Sequence, residues 1–226
     1  MPRTNRHTPG GMIYHVLNRA NDRKVIFESS ADYLALLEIL RDTREERPMR
    51  ILAYCLMPNH WHLLLWPERD GDLSAFMHQL TTTHTRRWHL NRNSTGQGHL
   101  YQGPYKYFPV QDDDHFYTAC RYVERNARRA NLVRRAEAWR WNSLWQRNQN
   151  STPPDYPVLT LWPVPRPAGW IDHVNQPQTE AELADLATCI HRGRPFGSPE
   201  WQQFTAKRLG LESTLRPRGR PKKQRS

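Results

Sequence analysis

The chain has 226 residues, and its 33 Lys and Arg outnumber its 22 Asp and Glu, which gives a formal net charge of +11. A surplus of this size favours a polyanionic partner, nucleic acid before an anionic membrane surface. The sequence has no run of about 18 apolar residues and no apolar stretch after its basic N-terminal segment, so we expect neither a transmembrane helix nor a secretory signal.

Hydrophobic periodicity divides residues 1–150 into the strands and helices of one domain. The predicted elements are a strand at 11–18, a helix at about 31–46, strands at 51–56 and 60–66, a helix at 72–91, a strand around 105–110 and a helix at about 112–129. Pro48 stops the first helix, and the chain turns at Pro58-Asn59 between the middle strands. This order predicts an α+β, ferredoxin-like domain with its helices on one face of an antiparallel sheet.

The composition changes after the predicted domain, and three further segments follow. Residues 151–178 are rich in proline, which predicts an extended linker or an arm wrapped on the domain. Residues 179–212 predict a two-helix extension, in which Thr179 and Ser198 cap the helices. Residues 213–226 form a basic tail.

The sequence His60-Trp61-His62 lies inside an apolar run. Residues two apart in a strand project from the same face, so both imidazoles point together while Trp61 points away. Two convergent imidazoles can supply two ligands of a divalent metal site, which then needs a third ligand. The alternative, and the commoner case for such a pattern, is a pair of half-buried histidines at the rim of a sheet.

The predicted helix at 112–129 offers further site residues. With about 100° per residue, its buried stripe contains Phe116, Cys120, Val123 and Ala127. Tyr122 and Asn126 share one flank of the helix, with Tyr117 on the opposite flank and Arg121 and Arg125 facing away from the sheet. From that flank Tyr122 and Asn126 could close over the histidines, supplying a nucleophilic oxygen and a neutral oxygen ligand. The alternative is that Tyr122 is an aromatic residue at the edge of the core.

Together, Met57-Pro58-Asn59-His60-Trp61-His62 and the segment Arg121-Tyr122-Val123-Glu124-Arg125-Asn126, about 60 residues later, resemble the REP-associated tyrosine transposases. These are bacterial relatives of the single-tyrosine, His-hydrophobic-His transposases of insertion sequences. The similarity continues through Ala138–Ser143 and Thr179–Lys223, so it involves most of the chain. Family members often have Pro where this chain has Ala127, a departure that could let the helix continue unbroken.

The resemblance implies a role for each site residue. His60 and His62 bind the metal, Asn126 completes the metal site, and Tyr122 is the nucleophile. The implied reaction cleaves single-stranded or hairpin DNA through a 5′-phosphotyrosine and transfers the strand. Two imidazoles and one amide oxygen suit Mg²⁺ or Mn²⁺ better than a closed zinc site. A cytoplasmic, nucleoid-associated bacterial protein is implied, and the widely spaced Cys55, Cys120 and Cys189 agree with a reducing compartment.

Basic residues with interleaved aromatics predict contacts to a single strand of DNA. They occur in Arg86-Arg87-Trp88 and in Tyr105-Lys106-Tyr107-Phe108. The predicted DNA-contacting residues of the domain are Arg19, Arg86, Arg87, Lys106 and Arg121. The alternative is that Trp88 and Phe108 belong to the core and the charges only solvate the surface.

The tail carries Arg218-Gly219-Arg220-Pro221 followed by Lys222 and Lys223. This segment resembles an AT-hook, in which an extended Arg-Gly-Arg lies in a narrow, A·T-rich minor groove. The alternative is a generic basic tail. Arg192-Gly193-Arg194-Pro195 repeats the pattern between the two extension helices, where a structured turn is the better interpretation.

Three functions therefore compete. The leading hypothesis is a metal-dependent, single-tyrosine DNA strand transferase that needs no protein partner. The second is a non-catalytic DNA-binding protein that retains the fold and the basic tail. The third is a metal-dependent phosphodiesterase that activates water at His60 and His62, which would release product without a protein adduct.

Overall fold

The computed structural model describes residues 7–216. The strands are β1 (Ile13–Arg19), β2 (Arg50–Met57), β3 (His60–Trp66) and β4 (Lys106–Val110). The helices of the domain are α1 (Ser30–Glu46), α2 (Asp72–Asn91), α3 (Asp114–Glu124), α4 (Asn126–Arg129) and α5 (Ser143–Arg147). Those that follow are α6 (Trp170–Asn175), α7 (Glu180–Arg192) and α8 (Pro199–Leu209). None of the helices in this described range is long and apolar enough to cross a membrane.

The four strands form one antiparallel sheet in the order β2-β3-β1-β4. With α1 between β1 and β2 and α2 between β3 and β4, this is the ferredoxin-like arrangement that the sequence predicts. The register places Arg19 opposite His60, and Leu17 opposite both His62 and Lys106. The last residues of β1 and the first residues of β3 and β4 therefore meet at one end of the sheet.

Both faces of the sheet are covered, so the prediction of helices on one face is wrong. Helices α1 and α2 pack with Tyr14, Val16 and Trp61 on the first face. The second face carries α3 and side chains of the C-terminal segments, including Trp170. The sequence does carry a sign of this second layer, because β2 and β3 are apolar at nearly every position, as strands buried on both faces are.

The proline-rich segment lies against the domain, as the predicted arm would, and it contains α6. Thr160 N–H donates to the carbonyl of Ile51 at 2.9 Å, and Trp170 is buried in the second core. Residue Phe196 bridges to Val110 beside β4, so the extension continues the sheet edge. These contacts bring α7 next to the end of the sheet where β3 begins.

Local sequence signals set the ends of the extension helices. Thr179 and Glu182 form the predicted capping box of α7, and Ser198 accepts from the backbone N–H of Trp201 to cap α8. Gly193 ends α7 in the left-handed conformation at φ 70°, and Arg194 next to it pairs with Asp185 at 2.6 Å. The Arg-Gly-Arg-Pro repeat between the helices is thus a structured turn, as predicted.

Candidate active site

The two histidines at the start of β3 lie on the face of the sheet that α3 covers. The ring centroids of His60 and His62 are 5.1 Å apart. Trp61 points to the opposite face, where it is buried among α1 and α2 and donates its Nε1–H to the hydroxyl of Tyr101 at 3.0 Å. The alternation of a strand therefore sets both imidazoles on one face, as the sequence predicts.

Each of these imidazoles has a partner at Nδ1. The Nδ1 of His60 lies 2.6 Å from Oδ1 of Asn59, which can only accept a hydrogen bond. The Nδ1 of His62 lies 3.0 Å from Nε2 of His15, a buried residue of β1. A partner at Nδ1 fixes the orientation of an imidazole and leaves Nε2 to bind a ligand, the arrangement usual for metal-binding histidines.

All three imidazoles are held neutral at physiological pH. Burial, followed by the nearby charges of Arg19 and Arg129, lowers the pKa of His60 to about 4. Burial first, and then the neighbouring His15 and His60, holds the pKa of His62 well below its usual 6.5. Burial lowers the pKa of His15 to about 3. Neutral imidazoles keep the lone pairs that metal binding requires.

Tyr122 lies over the histidines on α3. Its ring centroid is 5.7 Å from that of His62 and 6.1 Å from that of His15, and the rings meet edge to face. Its hydroxyl accepts a hydrogen bond from Nη2 of Arg129 at 3.1 Å. The Arg129 guanidinium also covers the ring, with Cζ 4.2 Å from the ring centroid. A cation therefore contacts both the oxygen and the ring of this tyrosine.

Asn126 stands at a break in the predicted helix. The sequence predicts one helix over 112–129, left unbroken by Ala127, but α3 ends at Glu124 and α4 begins at Asn126, with Arg125 between them. The break lies upstream of Ala127, so it does not depend on a proline at that position. Oδ1 of Asn126 accepts from Arg129 Nη2 at 3.2 Å, and its buried Nδ2 has no hydrogen-bond partner within residues 7–216.

The donor set fits a divalent cation of intermediate hardness. Over residues 7–216, no three His, Cys, Asp or Glu side chains form a group that could hold a metal ion. The Nε2 atoms of His60 and His62 therefore need an oxygen ligand of another type. The amide of Asn126 is buried, and its Oδ1 can supply such a ligand; Arg129 donates both to this oxygen and to Tyr122.

A cleft of about 530 Å³ opens beside Tyr122. Arg19 and Lys106, two of the predicted DNA contacts, line this cleft on the sheet side, at the end where β1, β3 and β4 meet. Ile190 and His191 of α7 line the opposite side. The two-helix extension thus supplies one wall of the cleft, which the sequence does not reveal.

A second cleft, of about 570 Å³, adjoins the first. Gln102 and Gly103 line both clefts, and Arg86 of α2 lines the second one. Arg87 is exposed on the same helix. Phe108 is buried in the core beneath α3, so this ring does not stack on DNA, and the core alternative holds for it.

The structure contradicts the prediction that Arg121 contacts DNA. Its side chain is buried, its Nη2 donates to the carbonyls of Gln176 and Pro177 at 2.9 and 2.8 Å, and its Nη1 lies 3.7 Å from a carboxylate oxygen of Glu182. Arg121 does face away from the sheet, but the arm and α7 cover that side. Four further predicted DNA contacts lie outside the described residues: Arg218, Arg220, Lys222 and Lys223.

Two functional candidates escape sequence reasoning. His15 is a lone histidine in an apolar strand, and only the pairing of β1 with β3 brings it to His62. Arg129 lies seven residues after Tyr122, on the same face of the helix but about 10 Å further along its axis, and only its long side chain brings the guanidinium back to the tyrosine hydroxyl.

Comparison with known proteins gives four findings. Residues 10–126, just over half of the chain, match the model of the IS200-like transposase family. The solved structure of a REP-associated tyrosine transposase bound to a REP hairpin is 17% identical, with a TM-score of 0.54, over 74% of this chain and 99% of that one. A candidate transposase from Deinococcus radiodurans R1 is 21% identical over 57% of this chain and 92% of that one, with a TM-score of 0.39. A search of curated proteins found no match.

Proposed function

This chain belongs to the IS200-like transposase family, and we propose that it cleaves single-stranded or hairpin DNA and transfers the cut strand through a covalent bond to Tyr122. The observation that carries the proposal is the cluster of Tyr122, the His60 and His62 pair and Arg129 in one site. A REP-like hairpin is the proposed substrate, since the solved transposase of similar fold is bound to one. Such a substrate implies action at the bacterial nucleoid.

The proposed step exchanges one phosphodiester for another. The hydroxyl oxygen of Tyr122 bonds to the scissile phosphorus, and the bond from phosphorus to the 3′-oxygen breaks. The phenolic proton is lost, and the departing 3′-oxygen gains a proton, so the products are a 5′-phosphotyrosine and a free 3′-hydroxyl. Because the phosphodiester bond is conserved, a 3′-hydroxyl can later displace the tyrosine without an external energy source.

Arg129 supports both directions of this exchange. Its guanidinium donates to the tyrosine oxygen at 3.1 Å and stacks on the ring. A fixed cation at this oxygen stabilises negative charge when the tyrosine attacks and again when it leaves. The buried ring of Tyr122 limits its rotation, which keeps the hydroxyl near the metal-binding side chains.

His60, His62 and Asn126 are the residues that would hold Mg²⁺ or Mn²⁺. A cation bound there offsets the charge of the scissile phosphate and makes the phosphorus more electrophilic. The neutral imidazoles support this assignment, and Oδ1 of Asn126, which accepts one hydrogen bond from Arg129, keeps a second lone pair for a ligand. His15 orients His62 from behind and takes no ligand position itself.

The two adjoining clefts support a single-stranded path to the nucleophile. Arg19 and Lys106 line the cleft at Tyr122, and Arg86 lines the next one, so cations flank a strand that passes over Gly103. Basic residues along a groove bind the backbone of a single strand without regard to sequence. The basic tail is proposed to add contacts to the hairpin or its A·T-rich flanks.

A denaturing gel tests this function. Labelled hairpin DNA is incubated with the protein and Mn²⁺, and a band of covalent protein–DNA adduct is expected. Tyr122→Phe should abolish the band, whereas the matched variant Tyr117→Phe should keep it, because the hydroxyl of Tyr117 donates instead to the carbonyl of Pro165 at 2.6 Å. Cleavage without an adduct would indicate a phosphodiesterase that activates water. Binding without cleavage would indicate a non-catalytic DNA-binding protein.

A further inference from the structure

A pocket of about 590 Å³ lies beyond Tyr122, on the side of α4, and four arginines line it. They are Arg125, Arg128, Arg129 and Arg134. The rest of its lining is the segment 131–133. This pocket is separate from the cleft that contains Arg19 and Lys106.

The chain builds the pocket by reversing direction after α4. Asn131 adopts the left-handed conformation at φ 57°, which asparagine tolerates better than most residues. Its N–H donates to the carbonyl of Arg128 at 2.9 Å, and the N–H of Leu132 donates to that of Ala127 at 3.0 Å. The reversal brings Arg134 back beside the arginines of α4, so cations from two stretches of chain face one space.

No carboxylate within residues 7–216 neutralises this group, since none of the four arginines lies within ion-pair distance of an Asp or Glu side chain. In contrast, the nearby Arg121 and Arg135 both form ion pairs with carboxylates. Arg128 donates to the carbonyl and to Oδ1 of Asn175, which carry no net charge. Arg129 donates to Tyr122 and Asn126.

Of the four arginines, Arg125 has the fewest interactions that offset the burial of its charge. Its Nε is buried and has no hydrogen-bond partner among the described residues. Burial, together with the charges of Arg128, Arg121 and Arg129, lowers the pKa of Arg125. Cations crowded and partly buried without an anion destabilise one another, so an anionic ligand would relieve both the repulsion and the unpaired N–H.

We propose that Arg125, Arg128, Arg129 and Arg134 form a binding site for a backbone phosphate of the DNA strand, next to the phosphate that Tyr122 attacks. Guanidinium groups suit this ligand because they donate two parallel hydrogen bonds to phosphate oxygens. This inference rests on the proposed function, since Arg129 links the pocket to the nucleophile at 3.1 Å. Successive phosphates of one strand advance about 3.4 Å along a duplex axis, so a site this near holds a phosphate within a few nucleotides of the scissile one.

The salt dependence of binding gives the first test. Binding of a fluorescein-labelled hairpin is followed by anisotropy from about 50 to 200 mM KCl, in a Tyr122→Phe background so that no adduct forms. Arg125→Gln and Arg134→Gln should each weaken binding about tenfold and make the slope of log K against log salt shallower by about 0.7–0.9. These two side chains make no protein hydrogen bond in the described structure, so folding should be retained, as circular dichroism can verify.

The matched control is Arg69→Gln, which removes the same charge from an exposed turn after β3, at the far end of that strand from His60. It should leave both affinity and slope nearly unchanged. Arg125→Lys should keep the slope but lose part of the affinity, because an ammonium does not bind bidentately. If the two Gln variants behave like the Arg69→Gln control, the pocket does not bind phosphate and the proposal is wrong.

Neutral phosphate analogues locate the contact. In a series of hairpins, each with one phosphate replaced by an uncharged methylphosphonate, one or two replacements should weaken binding to the parent protein. The same replacements should cost the Arg125→Gln/Arg134→Gln double variant little, since the partner is already gone. Equal losses in both proteins at every position would overturn the proposal. A parent protein that never forms an adduct would instead defeat the proposed function and leave these binding results standing.

Discussion

Replacing Trp170 with Phe should weaken the packing of the C-terminal arm on α3 and so lower the free energy of unfolding. Glu124, two residues after Tyr122, is fully buried, and its carboxylate has two donors. The Nε1–H of Trp170 in α6 donates to Oε2, and the hydroxyl of Ser143 in α5 donates to Oε1, both at 2.7 Å. One carboxyl group of α3 thus binds two later segments of the chain, α5 and α6, to this helix.

The magnitude follows from these contacts. Burial raises the pKa of Glu124, and its hydrogen bonds with Trp170 and Ser143 oppose that rise. Removing one partner of a hydrogen bond, so that a buried polar group is left unsatisfied, costs about 1–3 kcal/mol. The smaller phenyl ring also leaves part of the indole volume empty, so the total loss for Trp170→Phe is about 2–4 kcal/mol. That is a large fraction of the roughly 5–15 kcal/mol that stabilises an ordinary domain.

Urea unfolding measures this loss, as a lower midpoint at constant slope. Trp66→Phe is the matched control, because the buried Nε1 of Trp66 has no hydrogen-bond partner in the described structure and its loss removes no bond. In a Glu124→Gln background, Trp170→Phe should cost less than in the wild type, since the acceptor is no longer a carboxylate. The reasoning is refuted if Trp170→Phe and Trp66→Phe cost the same, or if the cost is equal in both backgrounds.

Three further predictions concern the metal site, pH and the tail. His15→Leu should weaken Mn²⁺ binding about 10–100-fold in calorimetric titrations, because His62 loses the partner of its Nδ1; unchanged affinity would remove His15 from the site. Burial lowers the pKa of His84 from 6.5 to about 3, so as the pH decreases this imidazole is protonated in the unfolded chain before it is protonated in the folded protein. The free energy of unfolding should therefore decrease as the pH is lowered from about 6.5 towards 3, and His84→Asn should make that decrease shallower by about 1.4 kcal/mol per pH unit. Truncation after Leu215 should flatten the salt dependence of hairpin binding yet preserve cleavage at saturating DNA, and lost cleavage would place the tail in the active site.

Much of the fold was predictable because local signals and the global arrangement agree. The bounds 72–91 of α2 match the prediction, and the capping residues of α7 and α8 lie where the sequence places them. The pair His60 and His62 follows from the two-residue repeat of a strand, which needs no knowledge of neighbours. The buried stripe of α3 from Phe116 to Val123 follows in the same way from the helical repeat.

What the sequence could not predict depends on contacts between distant segments. His15 meets His62 only through the pairing of β1 with β3. Arg121 has the helix position of a solvent-exposed residue, yet the arm covers it. In each case the helical or strand repeat gives the direction of a side chain but not what lies there.

The C-terminal segments complete the site, although the family match ends at Asn126. Three sets of contacts tie the arm to α3 and α4: Trp170 to Glu124, the carbonyls of Gln176 and Pro177 to Arg121, and Asn175 to Arg128. Removing the arm would expose the Glu124 carboxyl group and two arginines that now pair with it, so the arm stabilises α3 in this position. Because α7 follows the arm directly, pairs with α3 through Glu182 and Arg121, and lines the cleft at Tyr122, the extension both supports α3 and limits the width of the cleft.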